Sequence, residues 1–445
     1  MFVLDGSYRR FDRVVIAGSP LRLFRLSGTG QRVVEAIEQQ QPLPSGHAKL
    51  TDRLVDAGAI HPSPVDATFT PTDVTIVVPA FNAQPSATRH DGDAIVVDDA
   101  SDPPLATMPG YRLIRLAINR GPGAARNAGL AEVTTPLVAF VDTDVDVDVD
   151  DGWLRPLLPH FNDPRVALVA PRVHSCGGAS VLAKYEAARS PLDLGDQAAR
   201  IAAGTRVSYV PAAAIVVRVD ALRGVGGFDE TLRTGEDVDL VWRLIDAGHR
   251  CRYEPAATVH HHPRATISAW VRQRMAYGRS AAALDRKHGG AVAPLRMSGW
   301  SAVVWALVLA RRPGAAIAVA TGTAVALRRK LDDVPAQESI RLAGLGHLYA
   351  GRQVASAITR VWWPIALVAA LLIPRLRVPL FGAATIPPLL DWLERRGPND
   401  AAQYIALRLA DDIAYGAGAW IGAVEQRSAG ALAPKFTSWP GRTRG

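Results

Sequence analysis

Apolar residues recur with three different rhythms along the chain. Between residues 70 and 290, short unbroken apolar runs at 74–79, 94–97 and 137–141 alternate with stretches of helical spacing after Gly121 and across 238–245. Runs of that length predict strands buried on both faces. Their alternation with helices predicts an α/β domain with a mostly parallel sheet. Residues 1–65 read as a small separate unit. A strand-like alternation at 21–27 leads into a helix at 29–40, opened by Ser27, with Val33, Val34 and Ile37 on one face. A second helix carries Leu50, Leu54 and Val55 and closes on Gly58 as a C-cap. His61-Pro62-Ser63-Pro64 reads as a linker. From 295 to 445 the apolar stretches lengthen, at 300–309, 315–327, 361–373 and 378–390. Each falls short of the roughly 20 apolar residues that span a bilayer, and arginines flank several at both ends. This helical, apolar C-terminal region either packs on the core or enters a membrane as short or re-entrant helices.

Composition narrows the class. The 445 residues call for two or three units, since a domain usually holds about 100–200. Apolar residues at 48% and charged residues at 21% suit a globular protein with a sizeable core. The net charge of +8 gathers after Arg264, in Arg311-Arg312 and Arg328-Arg329-Lys330, which favours an anionic membrane surface over a nucleic-acid stripe. Cys176 and Cys251 form no CxxC pair, so neither a zinc ribbon nor a disulfide scaffold is indicated. The first 13 residues have no secretory-signal pattern.

The candidate chemistry lies at the ends of the apolar runs, where open parallel sheets bind ligands. Asp98 and Asp99 follow the second run; a carboxylate there suits a ribose or base, or else caps a helix. Asn119 to Gly129 forms a glycine-rich turn into a helix whose free N–H groups suit phosphate, with Arg126 in its first turns. Asp142-Thr143-Asp144 closes the third run. Carboxylates at i and i+2 converge on a hard divalent cation such as Mg²⁺ or Mn²⁺. Asp146, Asp148, Asp150 and Asp151 extend the acids beyond what a metal needs. Glu236-Asp237-Val238-Asp239 opens an amphipathic helix, where acids serve the helix dipole or one acts as a general base. In His260-His261-His262, residues 260 and 262 would share a strand face, and His260 is a candidate metal ligand.

In this order the segments resemble family 2 glycosyltransferases of the GT-A, Rossmann-like fold. The matching residues are Val77 to Asn82, Val97 to Ser101, Asn119 to Gly129, Asp142-Thr143-Asp144, Gly226-Gly227-Phe228-Asp229-Glu230 and Glu236 to Leu240, across roughly 72–290. The resemblance implies a UDP-sugar donor held by Pro79, Ala80, Asn82, Asp98, Asp99, Arg126 and Asp142. It implies a divalent metal on Asp142 and Asp144, with His260, and catalysis by Asp237 with Glu236. Two features depart from the family: the Asn82–Ala94 connection is short for a helix, and the Gln-x-x-Arg-Trp signature of processive synthases is absent, with only Gln273-Arg274-Met275 near it. Residues 20–62 resemble winged-helix-like peptide-recognition domains of peptide-modifying pathways. Together with the Arg-rich apolar C-terminus, they make the chain similar to the mycofactocin-system glycosyltransferases, which implies β-glucosylation of a peptide-derived redox cofactor at the cytoplasmic face of the cell membrane, peripheral or multi-pass. Transfer to a membrane polyprenyl phosphate, or a GT-A shell that binds nucleotide without chemistry, remain alternatives; a nucleic-acid partner is not expected.

Overall fold

A computed structural model describes residues 1–85, 90–147 and 150–438. They divide into two compact units: 1–177 with 189–263, and 178–188 with 264–445. The boundary falls at 263/264 instead of near 290, because the helix at 267–288 packs against the last long helix of the second unit.

The first unit opens with β1 (Phe2–Leu4), β2 (Arg9–Phe11), β3 (Val14–Ala17), β4 (Arg22–Arg25), α1 (Gly28–Glu38), α2 (Ala48–Ala57) and β5 (Ile60–Pro62). Strands β2, β3 and β4 form an antiparallel sheet under the two helices, the winged-helix-like arrangement, around Val15, Phe24, Val33, Val34, Ile37, Leu54 and Ile60. Ser27 caps α1 through Gly30 N at 3.2 Å, and Gly58 closes α2 in the left-handed region at φ 69°. His61 and Pro62, expected to open a linker, instead pair with Ile60 as β5 against β1, so the chain returns to its own beginning. This subdomain has its own core yet belongs to the first unit. Arg250, on a strand of the large sheet, binds Asp52 (3.2 Å) and Asp56 (2.6 Å) of α2, and Arg165 binds Asp52 at 2.7 Å.

The central sheet uses β6 (Val74–Ala80), β7 (Ala94–Asp98), β8 (Arg112–Arg115), β9 (Leu137–Val141), β10 (Val145–Asp146), β11 (Val166–Ser175), β12 (Ala199–Arg200), β13 (Ala214–Arg218) and β14 (Arg250–His261). The order is β10-β14-β11-β13-β9-β6-β7-β8, with β12 on β14. Strands β9, β6, β7 and β8 are mutually parallel, as are β11 and β14; β13 is the antiparallel hinge between the two runs. Helices α3 (Pro122–Ala131), α5 (Val219–Gly224) and α6 (Glu236–Asp246) complete this α/β layer, and no helix occurs between β6 and β7 among the described residues.

Two sequence details fit this sheet. Even-numbered residues of β6 face β7, since Ile76 N donates to Asp93 and Ala80 O accepts from Asp99 N. Pro79 therefore points to the β9 side, where pairing has ended at Val77, and its missing N–H costs no ladder bond. Helix α3 lies so close to the sheet that a Cβ on Gly129 would stand 2.3 Å from Val77 Cγ1.

The second unit holds α4 (Val181–Arg189), whose last residue falls in the first unit, then α7 (Ile267–His288), β15 (Arg296–Ser298), α8 (Gly299–Leu309), α9 (Pro313–Lys330), α10 (Ala336–Arg360), α11 (Trp363–Leu372), α12 (Arg377–Arg395), α13 (Ala401–Glu425) and β16 (Lys435–Ser438). Arg274 is buried here between Glu186 (2.5 Å) and Asp411 (3.1 Å), a structural ion-pair network. No single helix among the described residues is long and apolar enough to cross a membrane; α10 and α11 pass that test only as a pair bent by 86°.

Candidate active site

The site is assembled where β6, β7, β9 and the turn before β10 end. Asp98 and Asp99 are both buried and both committed to shaping loops. Asp98 accepts from Ser101 N (2.8 Å) and Leu105 N (3.3 Å) and pairs with Arg115 at 3.3 Å. Burial pushes its carboxyl up, but the Ser101 and Leu105 hydrogen bonds and Arg115 outweigh that and hold it below the usual range. Asp99 accepts from Arg120 N and Gly121 N, each at 2.7 Å, so it fixes the turn into α3. Asn82, at φ 53°, ties its N–H to Ser101 Oγ (2.8 Å) and its side-chain oxygen to Asp102 N (2.9 Å). Pro79 and Ala80 are buried beneath this rim.

Arg126 departs from its expected place on a diphosphate. Its guanidinium is buried, with Nη2 on Asp142 Oδ1 (2.6 Å) and Nη1 on Glu236 Oε1 (2.7 Å), and it lies 5.3 Å from the Phe228 ring. Both terminal nitrogens are spent on protein carboxylates, and Nε is buried without a partner, so no donor faces outward to a ligand. The Gly226 to Glu230 segment serves the same clamp. Asn127 binds Phe228 through Phe228 N (2.9 Å) and O (2.8 Å), and Phe228 in turn meets Phe140 edge-on at 5.1 Å. A Cβ on Gly227, at φ 71°, would come within 2.6 Å of Asn127. Glu236 is thus a positioning acid facing Arg126.

Asp142 and Asp237 are drawn together by one segment: Asp142 N donates to Ala213 O (2.9 Å), and Ala212 N donates to Asp237 Oδ2 (3.3 Å). Asp237 stands at the first turn of α6, with Oδ1 on Val238 N at 2.8 Å. Desolvation first, and the adjacent Glu236 charge second, raise its carboxyl to about 7. Asp142 is also raised, by burial and by Asp144 and Glu236, against the pull of Arg126.

The histidine assignment changes. His260 is exposed and turned toward His174, with ring centroids 6.1 Å apart, away from Asp142 and Asp144. His261 is the buried one, with Nε2 3.5 Å from Asp144 Oδ2, and His262 N donates to Asp144 O at 2.9 Å. The reason is a bulge: β14 pairs Glu254 with Pro171 and next Thr258 with Arg172, so the intervening residues reset the alternation. His261 Nδ1 is buried without a partner. Asp142, Asp144 and the His261 nitrogen that faces Asp144 are the donor types a divalent cation takes, but the three do not stand within 4.8 Å of one another as a preformed cluster does. Of the remaining acids, Asp151 is structural, accepting from His90 Nδ1 (2.8 Å) and Asp91 N (3.1 Å); Asp148 lies outside the described residues.

The glycosyl transferase family 2 profile matches residues 75–223. Over 97% of the chain and 95% of the relative, the sequence is 41% identical to the pre-mycofactocin glycosyltransferase of Mycobacterium tuberculosis (strain CDC 1551 / Oshkosh). The chain belongs to the pre-mycofactocin glycosyltransferases of family 2. It is also 32% identical to the succinoglycan biosynthesis protein ExoO of Rhizobium meliloti (strain 1021), over 43% of the chain and 61% of that protein. Among solved structures, a mannosyltransferase from Pyrobaculum calidifontis, in complex with GDP-Man and Mn²⁺, matches 65% of the chain and 91% of its own at 19% identity, with a TM-score of 0.38. As a family 2 glycosyltransferase of the mycofactocin system, the enzyme takes a nucleotide-sugar donor and an acceptor. Family motifs thereby acquire physical roles here: the aspartate pair shapes the rim, the Asn-Arg-Gly turn supplies Arg126, and the Gly-Gly-Phe segment wedges it. Sequence reasoning missed His261. The signal available was the unbroken His triplet, which marks the strand end without phasing it.

Proposed function

We propose that the chain transfers glucose from UDP-glucose, with inversion and so in β-linkage, to the peptide-derived redox cofactor for which its relative is named. The observation that carries this reading is Asp237. It is a partly buried carboxylate held at about 7 and anchored through Ala212 beside the segment that fixes Asp142. A carboxylate at that value takes a hydroxyl proton near neutral pH far better than an ordinary aspartate does. Arg126 holds Asp142 and Glu236 in place, so the acids do not relax when charge moves. Asp142, Asp144 and His261 would hold Mg²⁺ or Mn²⁺, which when bound supplies Lewis acidity toward the diphosphate leaving group. The rim of Asn82 and the loop ordered by Asp98 and Asp99, lying over buried Ala80, forms the floor for the nucleotide. On this reading Asp237 removes the acceptor proton while the acceptor oxygen attacks the anomeric carbon opposite the departing UDP.

The test is a transfer assay with the full chain, UDP-glucose, Mn²⁺ or Mg²⁺ and a tyrosine–valine-derived acceptor, read by mass spectrometry. A hexose mass gain that disappears on chelation and in Asp237→Asn supports the reading. UDP release only with a polyprenyl phosphate would replace it with lipid glycosylation. That second reading is favoured by one feature, the exposed apolar residues of α11 and α12, including Leu372, Val378 and Phe381. In the first reading the same surface holds the enzyme at the cytoplasmic face of the cell membrane. Donor binding without any sugar release would leave a non-catalytic shell.

A further inference from the structure

The end of strand β14 and the residue after it divide three histidines between two faces. His261 turns inward to Asp144, while His260 and His262 turn outward. The outward face gathers a carboxylate, a thiol and imidazoles from the ends of three strands. Asp146 of β10 is the Cα partner of His260, and His174 of β11 is the parallel partner of His260. Cys176 follows β11 two residues after His174, so it returns to the same face, and its N–H donates to His261 O at 2.8 Å. An Asp146 oxygen, Cys176 Sγ and a His262 ring nitrogen all lie within 4.8 Å of one another. His262 Nε2 and Asp146 Oδ2 are 2.6 Å apart. His174 is held in orientation by Asp193, with Nδ1 3.0 Å from Oδ2.

We propose that Asp146, Cys176 and His262 form a second cation site, selective for Zn²⁺-class ions, on the face that His260 shares. This site is separate from the Asp142–Asp144–His261 centre and independent of the reaction assigned there. A thiolate with an imidazole selects zinc over magnesium or manganese, and one thiolate, one or two imidazoles and a carboxylate make a tetrahedral set. Binding expels the Cys176 proton, and the His262 and Asp146 side chains, now 2.6 Å apart, spread to surround the ion. Asp146 and His262 are each about half exposed, which gives them the freedom to do so. A bound ion would tie the two-residue strand β10 to β11 and β14. Since His262 N also holds Asp144 O, it would brace the turn that carries Asp142 and Asp144.

The test uses full-length protein stripped of metal, with Co²⁺ alone as the first probe. A thiolate-to-cobalt charge-transfer band at one equivalent is expected. It should be unchanged in Cys251→Ala, lost in Cys176→Ser and weakened in His262→Ala. Zn²⁺ should displace Co²⁺ in the presence of excess Mg²⁺ and raise the melting temperature of the parent but not of Cys176→Ser. Circular dichroism checks that the variants are folded. Absence of the band, its persistence in Cys176→Ser, or its displacement by Mg²⁺ would each overturn the site. Binding that survives Asp144→Asn separates it from the inner centre; loss of the band in that folded variant would also overturn it.

Discussion

The catalytic end of the sheet and the α11–α12 region break the inside–outside rule in opposite directions. At the sheet, charged groups are buried: Arg126 is 2% exposed, Asp99 3% and Glu236 6%. In α11 and α12, apolar groups lie bare: Leu372 and Val378 are each 75% exposed and Phe381 70%. Burial of charge is costly unless the charge is met by partners, and each of these charges is, although Arg126 Nε itself is left without one. Arg126 answers two carboxylates, and Asp99 answers two main-chain N–H groups. Exposure of contiguous apolar surface instead calls for something to cover it. The first kind of violation fixes atoms for chemistry; the second marks a surface. Single exposed leucines elsewhere carry neither message.

The sharpest way to break the comparison is at Asp237. Asp237→Asn keeps the shape and removes the base, so steady-state transfer should fall by roughly 10²–10⁴-fold. Its stability should move the other way. The raised value means the folded site prefers the neutral acid, so the native carboxylate costs stability increasingly as pH rises from the ordinary aspartate range toward 7. The variant should therefore melt higher than the parent above neutrality and alike at acid pH, as read by calorimetry across pH. Arg126→Met should show the reverse pattern. It leaves buried Glu236 and partly exposed Asp142 without their cation, a loss of up to about 3–5 kcal/mol in denaturant unfolding together with loss of transfer.

Next in size comes the metal centre. His261→Asn should raise the Mn²⁺ or Mg²⁺ needed for half-maximal transfer by about 10–100-fold, whereas His260→Asn should leave it unchanged. An equal effect of both would undo the division of β14 into two faces. Gly129→Ala should cost about 1–3 kcal/mol through the forced contact with Val77, with donor affinity intact if the protein stays folded. Smallest of all, Leu372→Ser with Phe381→Ser should leave transfer to a soluble acceptor unaltered. It should lower sedimentation with anionic vesicles, the effect expected if the bare helices meet a bilayer surface.

Much of this was legible in the chain. The strands at Val74–Ala80, Ala94–Asp98 and Leu137–Val141 follow from unbroken apolar runs, and the aspartates at their ends mark the ligand edge. The helix opened by Glu236 follows from its periodicity. What could not be read is whatever depends on distant partners. Arg126 meets Glu236 across 110 positions, and nothing local says that its guanidinium turns into the core and away from a ligand. His261 could not be told from His260, because a bulge in β14 shifts the phase just before the triplet. The pairing of β5 with β1 was hidden by a proline-rich sequence that reads as a linker.

The most direct test of the account is the pH dependence of kcat/KM for glucosyl transfer at saturating divalent metal. An acid limb with its midpoint near 7, abolished together with the activity in Asp237→Asn and moved in Asp237→Glu, is the predicted result. A rate that stays level down to the ordinary aspartate range, with Asp237→Asn retaining transfer, would contradict it.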